Sequence, residues 1–206
     1  MYNLSYIQKQ LSNRKAGILG SSDSMKSAVV LPLVYVDQEI SILFEVRSKT
    51  LTKQPGEICF PGGKIDSTDV NPEAAAVREL HEEIGILTSK VEIVSPLDIL
   101  VTPFRGIIYP FVGTIENFED IKINRNEVDH VFTVPLSFFR HYQPQQHTMR
   151  MKFEPVEGFP LEKIANKRAY KNRYSDFSES FYYYEDYVIW GLTARILTHF
   201  LEIMKH

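Results

Sequence analysis

The chain has 206 residues, enough for one sizeable hydrophobic core and too few to demand two. Apolar residues make up 44% and charged residues 24%, as in globular proteins, and a net charge near −3 argues against general nucleic-acid binding, which carries a basic excess. A single cysteine, Cys59, excludes an internal disulfide framework, and no run approaches the roughly 20 apolar residues of a membrane span.

The opening stretch, MYNLSYIQKQLSNRKAG, is polar and mixed, without the apolar run of a signal peptide, and the closing EIMKH carries no targeting tripeptide. A cytoplasmic location is the expectation. Residues 3–13 read as a short amphipathic helix. SAVVLPLVYV and ISILFEVRS are β-branched apolar runs separated by DQE, which predicts a hairpin. The Gly-, Pro- and Asp-rich TLTKQPGEICFPGGKIDSTDVNP predicts a loop with a short strand at EICF.

A helix is expected from Pro72 to Ile84. Asn71 is a good N-cap, Pro72 suits the first turn, Glu73 complements the positive end of the helix dipole, and Gly85 is placed to end it. KVEIVSPLDILVTP and IIYPFVGTIE read as strands, and EVDHVFTVPLSFF as a strand running into a short helix. Residues 142–186 read as aromatic, polar and irregular, with FYYYEDYVIW a strand turning into a helix. The closing helix is expected over about 187–205, with Gly191 inside it at a cost of ~1 kcal/mol relative to Ala and packed closely. No repeat, low-complexity tract or interdomain linker breaks the chain. The expected fold is α/β (α+β): a mixed β-sheet with helices on both faces, an α/β/α sandwich.

Within the central helix, RELHEEIGI (78–86) crowds three glutamates and an arginine into nine positions. Glu79, Glu82 and Glu83 are related by i,i+3 and i,i+4, so they share a face and repel one another. On the helical wheel Ala75 and Ala76 fall in the same sector, which predicts open access to the carboxylates. Val77, Leu80 and Ile84 form the expected buried stripe. Arg78 lies beside Glu82, where it can orient or partly neutralise that carboxylate. Clustered carboxylates suit a hard divalent cation, which takes oxygen ligands and shares them with substrate phosphates.

GGKIDSTDVNPEAAAVRELHEEIGI resembles the signature box of the Nudix hydrolases, whose core runs Arg-Glu-apolar-x-Glu-Glu-x-Gly-apolar. Arg78, Glu79, Leu80, Glu82, Glu83, Gly85 and Ile86 match it position by position. The front half departs from the general pattern. Its acidic residue is Asp69, and eight residues rather than seven separate that residue from Arg78. The same departure marks the coenzyme A diphosphatase branch. LFEVRSKTLTKQPGEICFPGGKID resembles that branch's upstream motif through Arg47, Ser48, Gly56, Phe60, Pro61, Gly62, Gly63 and Asp66; Thr52 stands where the motif has Arg. IWGLTARIL (189–197) resembles the branch's C-terminal helix.

The resemblance implies one Nudix domain over residues 1–206, with the box at 63–86, that hydrolyses a diphosphate bond with Mg²⁺ or Mn²⁺. Glu79, Glu82 and Glu83 are the implied metal ligands, with Arg78 completing the catalytic set. The general base is one of these glutamates or a more distant one, with Glu127 in reserve. Arg47, Ser48, Gly62, Gly63 and Lys64 are the candidate substrate-binding residues. Gly62 and Gly63 let backbone N–H groups come close to the box helix and to phosphates. The basic segment KIANKRAYKNR (163–173) is a candidate cover for a nucleotide phosphate. The implied substrate is coenzyme A or a derivative, cleaved to 4′-phosphopantetheine and adenosine 3′,5′-bisphosphate. Another nucleoside diphosphate such as ADP-ribose, or a non-catalytic binding module, remains the alternative. No nucleic-acid or membrane partner is expected, and family analogy suggests a homodimer.

Other signals are set aside. Gly56 to Lys64 lacks the spacing and the Ser/Thr of a phosphate-binding P-loop. No Gly-x-Ser-x-Gly nucleophile elbow is present. His81 reads as ordinary surface, Cys59 as a packing residue, and FYYYEDY as core or interface aromatics.

Overall fold

A computed structural model describes residues 3–103, 106–171 and 173–205. Two apolar β-branched runs form β1 (Lys26–Val36) and β2 (Glu39–Arg47), the expected antiparallel hairpin. Its two-residue turn, Asp37–Gln38, has positive φ at both positions (48° and 67°), the twist that joins antiparallel strands most tightly. The loop that follows carries β3 (Ile58–Cys59) and β4 (Gly62–Lys64).

Next come α2 (Pro72–Ile84), β5 (Val91–Pro96), β6 (Leu100–Thr102), β7 (Gly106–Ile115) and β8 (Val128–Pro135), which runs into α3 (Leu136–Phe139). β3, α2, β7, β8 and α3 stand where sequence pattern places them; β4 falls in the expected loop, and the run KVEIVSPLDILVTP, expected as a strand, is divided into β5 and β6. β1 pairs antiparallel with β2 and β4 but parallel with β7, and β8 closes against β2, giving a mixed sheet. A short α1 (Leu4–Leu11), capped by Asn3, precedes the sheet and buries none of its residues.

Alternation along the strands sends side chains to two separate cores. Ala28, Val30, Val34 and Leu43 meet α2 through Ala75, Ala76, Leu80 and Ile84. Leu31, Ile42, Phe44 and Val134 face the other way, onto α5 (Gly191–Ile203) through Ala194, Leu197 and Phe200. The fold is therefore a mixed sheet with helices on both faces, as expected. No helix among the described residues is long and apolar enough to cross a membrane.

In the second half of the chain three expectations need correction. Residues 142–186 are not irregular throughout: β9 (Gln145–Phe153) and β10 (Arg173–Tyr184) form a long antiparallel ribbon, with the short α4 (Arg168–Lys171) between them. The closing helix does not begin near 187. Tyr187–Ile189 is a strand, β11, folded back on β10, and the helix spans Gly191–Ile203. Gly191 is the first residue of that helix rather than an interior one. Its φ of 65° is what favours glycine, and a Cβ there would meet nothing within 4 Å, so close packing is not its reason.

The box helix has the expected limits. Asn71 accepts a hydrogen bond from the Ala74 N–H at 2.7 Å, and Gly85 takes the left-handed C-cap (φ 73°) with its N–H on the His81 carbonyl. Ala75 and Ala76 are completely buried, which corrects the reading that they open a path to the carboxylates, while Val77 is only half-buried. Small residues at 75 and 76 let α2 lie close on the sheet instead. Leu80 anchors the same contact with no exposed surface. Leu80→Ala is expected to lower unfolding free energy by about 2–5 kcal/mol, read as a shift in the urea midpoint. A change below ~1 kcal/mol would mean that α2 is not held by this contact.

Candidate active site

Arg78 is the centre of the arrangement. Its guanidinium has five N–H donors, and each meets an acceptor. Nε donates to Asp69 Oδ1 at 2.9 Å and Nη2 to Asp69 Oδ2 at 2.9 Å, a fork-on-fork pair. Nη2 also donates to the Lys64 carbonyl at 3.3 Å. Nη1 donates to Glu79 Oε1 at 3.0 Å and to Glu82 Oε2 at 3.1 Å. One cation thus ties the loop before α2 to two of the three box glutamates. Asp69 also accepts the Asp66 N–H at 2.8 Å, and the Arg78 hydrogen bonds together with that one hold its carboxyl down to about 2.

The three glutamates lie at different depths. Glu82 has a half-exposed side chain, Glu79 is largely covered, and Glu83 is buried, with 3% of its surface exposed. Glu83 Oε2 accepts the Gly62 N–H at 2.8 Å. This contact requires glycine in the loop. Gly62 has φ 149°, and a Cβ there would stand 2.3 Å from the Ala28 carbonyl oxygen. A Cβ on Gly63 would stand 2.4 Å from a Glu79 carboxylate oxygen. The two glycines therefore let β4 lie directly against the carboxylates.

A fourth carboxylate joins them that sequence reasoning did not single out. Glu45 sits in β2 with no exposed surface, between apolar neighbours. Cys59 Sγ donates to its Oε1 at 3.1 Å, and its Oε2 is buried without a hydrogen-bond partner among the described residues. The available signal was a lone acid in a strand with buried residues on both faces. Burial pushes Glu45 up to about 7, with Glu127 and Glu79 adding and Cys59 and Arg47 opposing. Burial likewise drives Glu83 well above the usual carboxylate range, with the charges of Glu45, Glu79 and Glu127 reinforcing it. Glu79 is raised for the same first reason, against the pull of Arg78. Burial pushes the Cys59 thiol up as well, which keeps it protonated and a poor nucleophile.

The remaining candidates divide. Arg47 lies close enough to Glu45 to oppose its rise in pKa, and its Nε is buried without a hydrogen-bond partner among the described residues. Ser48 is buried, but its hydroxyl bonds Thr50 Oγ1 at 2.9 Å and its N–H bonds the Glu127 carbonyl at 2.7 Å, so it shapes its own loop. Lys64 contributes its carbonyl to Arg78 while its side chain is exposed. Glu127 is half-buried, held by Asn124 at 3.2 Å, and acts on three of the carboxylates through its charge. His81 is exposed and bonded to the Ile86 carbonyl, as a surface residue.

Among the described residues, no hydrogen bond or ion pair joins the basic segment 163–173 to this cluster. Lys167 and Arg168 are exposed, Lys167 pairs with Glu162, and Arg173 lies over the Phe153 and Tyr170 rings. The Lys171 side chain and Asn172 lie outside the described residues.

Among the described residues, no three acidic or histidine side chains already form a ligand cage; the box oxygens engage Arg78 and Gly62 instead. The donor set is nonetheless all oxygen, crowded with like charge, and includes the unpartnered Glu45 Oε2. These features fit a hard divalent cation.

A mixed sheet with helices on both faces, one of them carrying clustered carboxylates beside a glycine approach, defines the class as an α/β sandwich with an acidic site. Residues 25–181, more than half of the chain, match the NUDIX domain. The chain belongs to the Nudix hydrolase family. It is 40% identical over 120 residues to the peroxisomal coenzyme A diphosphatase NUDT7 of Mus musculus, covering 58% of this chain but only 51% of that protein. It is 33% identical over 176 residues to the uncharacterized Nudix hydrolase NudL of Enterobacter sp. (strain 638), covering 84% of this chain and 79% of that one. A MutT/nudix family protein from Enterococcus faecalis shares the fold at a TM-score of 0.51 and 13% identity, covering 99% of this chain and 70% of that one.

The raised carboxyls make stability depend on pH. Above pH 4.5 the unfolded chain releases the Glu45 proton, while the folded chain holds it to about 7. Folding is therefore weakened as pH rises through that window, and Glu83 acts in the same direction. With divalent cations chelated, the melting temperature is expected to fall between pH 4.5 and 7, and Glu45→Gln is expected to reduce that slope. A variant with the wild-type slope would locate the effect elsewhere.

Proposed function

We propose that this chain hydrolyses the diphosphate bond of coenzyme A or its derivatives, releasing 4′-phosphopantetheine, or its acyl form, and adenosine 3′,5′-bisphosphate. The observation that carries the reading is the Arg78-centred carboxylate cluster, which has the chemistry of an anhydride-cleaving site. The 40% identity to a coenzyme A diphosphatase and the upstream motif at 47–66 support the choice of substrate. Thr52, where that motif has Arg, keeps a second reading in view: a Nudix hydrolase of another nucleoside diphosphate such as ADP-ribose. We read residues 1–206 as one such domain, acting as a cytoplasmic homodimer.

In this reading Glu79, Glu82 and Glu83 hold Mg²⁺ or Mn²⁺. A bound cation supplies neutralisation of the diphosphate and activation of water. Arg78 keeps Glu79 and Glu82 in place and offsets their repulsion. The Gly62 N–H fixes one oxygen of Glu83, leaving the other for a ligand. The proton of the attacking water would pass to one of these glutamates or to a more distant carboxylate, for which Glu127 stands in reserve. Gly62 and Gly63 keep side chains out of the space that the phosphates approach.

The test is incubation with coenzyme A and ~5–10 mM Mg²⁺ or Mn²⁺, a range that fills weak carboxylate sites, with products identified by mass. Appearance of 4′-phosphopantetheine and adenosine 3′,5′-bisphosphate is expected, with a loss of at least ~10-fold in Glu82→Gln or Glu83→Gln, the lower end of what disturbing a metal site costs. Turnover of ADP-ribose but not coenzyme A would move the assignment to the second reading. Cation binding without turnover of either would identify a non-catalytic module.

A further inference from the structure

On the sheet face opposite the carboxylates lies a cleft of about 350 Å³. Its walls include Glu57 from the loop before β3, His130 from β8, Asp186 from the β10–β11 turn, and Tyr187, Val188 and Trp190 beyond that turn. The cleft adjoins the candidate active site through backbone. Val46, which also lines it, sits between Glu45 and Arg47 on β2, about 3.3 Å per residue along the strand, with its side chain on the other face. The Glu57 carbonyl accepts the Arg47 N–H at 2.9 Å, and the Gly56 N–H bonds the Arg47 carbonyl at 3.0 Å.

The cleft is built rather than incidental. The Tyr187 ring lies parallel on Phe132 at 3.7 Å, and its hydroxyl bonds His130 Nε2 at 3.1 Å. His130 is held in turn by Asp129 at 2.7 Å. Trp190 stacks on Phe181 at 5.6 Å and leaves 39% of its surface exposed. A wall fixed by stacking and hydrogen bonds loses little freedom when a ligand settles on it.

Size and charge narrow what the cleft accepts. Its volume lies at the low end of the ~300–1,000 Å³ range of small-molecule sites, so it fits one arm of a dinucleotide-sized substrate and not the whole. The lining contains Glu57 and Asp186 and neither Lys nor Arg. A phosphate there would meet two carboxylates, and His130, the lining's other titratable group, is already bonded to Asp129 and the Tyr187 hydroxyl; juxtaposed like charges disfavour that occupant. An uncharged chain with amide N–H donors finds acceptors in the same carboxylates and apolar surface on Val188 and Trp190.

We propose that this cleft receives the uncharged pantetheine arm of the substrate, and that the adenosine bearing the 3′-phosphate points elsewhere. This rests on the coenzyme A reading above. In that arrangement Trp190 and Val188 line the path of the terminal thiol or acyl group, and Glu57 and Asp186 take the amide hydrogens.

Trp190 is the chain's single tryptophan, so its fluorescence reports on this cleft alone. With Mg²⁺ present, titration of the wild-type protein with 4′-phosphopantetheine is expected to give a saturable change in emission, and adenosine 3′,5′-bisphosphate is expected to give none. A response to the bisphosphate instead, or to neither compound, overturns the assignment. Trp190→Ala is expected to raise KM for coenzyme A about tenfold more than it lowers kcat, an effect of ~1.4 kcal/mol on binding. An equal loss in both parameters would also count against it. Failure of the coenzyme A reading shows separately, as absence of coenzyme A cleavage by the wild-type enzyme.

Discussion

The local structure of the candidate site depends on the full hydrogen bonding of Arg78. Five donors leave one guanidinium and reach Asp69 twice, the Lys64 carbonyl, Glu79 and Glu82. Three glutamates within five positions would otherwise push the last turns of α2 apart. A lysine could not replace this arginine, because an ammonium cannot present a planar fork to Asp69 and still reach two further carboxylates. The same bonds fasten the loop after β4 to the helix, so the glycine approach and the carboxylates move as one unit.

The second constraint is steric. Gly62 and Gly63 lie where any side chain would strike the Ala28 carbonyl or the Glu79 carboxylate. That closeness brings a backbone N–H to the buried Glu83, whose charge has little other local compensation. Around it Glu45, Glu79 and Glu127 add repulsion, and the result is a set of carboxylates with raised proton affinity. A structure that tolerates this in its interior carries a local destabilisation, which a bound cation would relieve.

The two faces of β2 divide the proposed labour. One face carries Glu45 toward the carboxylate cluster; the other carries Val46 toward the aromatic-walled cleft. A pleated strand makes this division automatic, since neighbouring side chains point in opposite directions. The β10–β11 turn, which carries no sequence motif, adds Asp186 to walls otherwise drawn in part from the upstream motif (Glu57) and the start of the closing helix (Trp190).

Elements specified by near neighbours were legible in the sequence. α2 needed only Asn71, Pro72 and Gly85 to fix its ends, and the β1–β2 hairpin only its two apolar runs and a short polar turn. The box residues were legible as well, because Arg78, Glu79, Glu82 and Glu83 sit within one and a half turns of helix, where spacing alone puts them together. What depended on distant partners was not. The β9–β10 ribbon joins Gln145 to Phe181, and its mixed polar and aromatic strands show their pattern only when paired. Tyr187–Ile189 became a strand because β10 offered it an edge, against a local apolar pattern that read as helix. Glu45 was hidden for the same reason. Its place beside Glu83 is set by the packing of β2 against α2, 38 positions later in the chain (83 − 45), and by the Cys59 thiol across the β2–β3 pair. Sequence determined which local elements form and where the signature carboxylates lie; tertiary packing decided which of them are buried, what each touches and what stands beside them. Burial and long-range pairing are properties of the folded surface, which no local window contains.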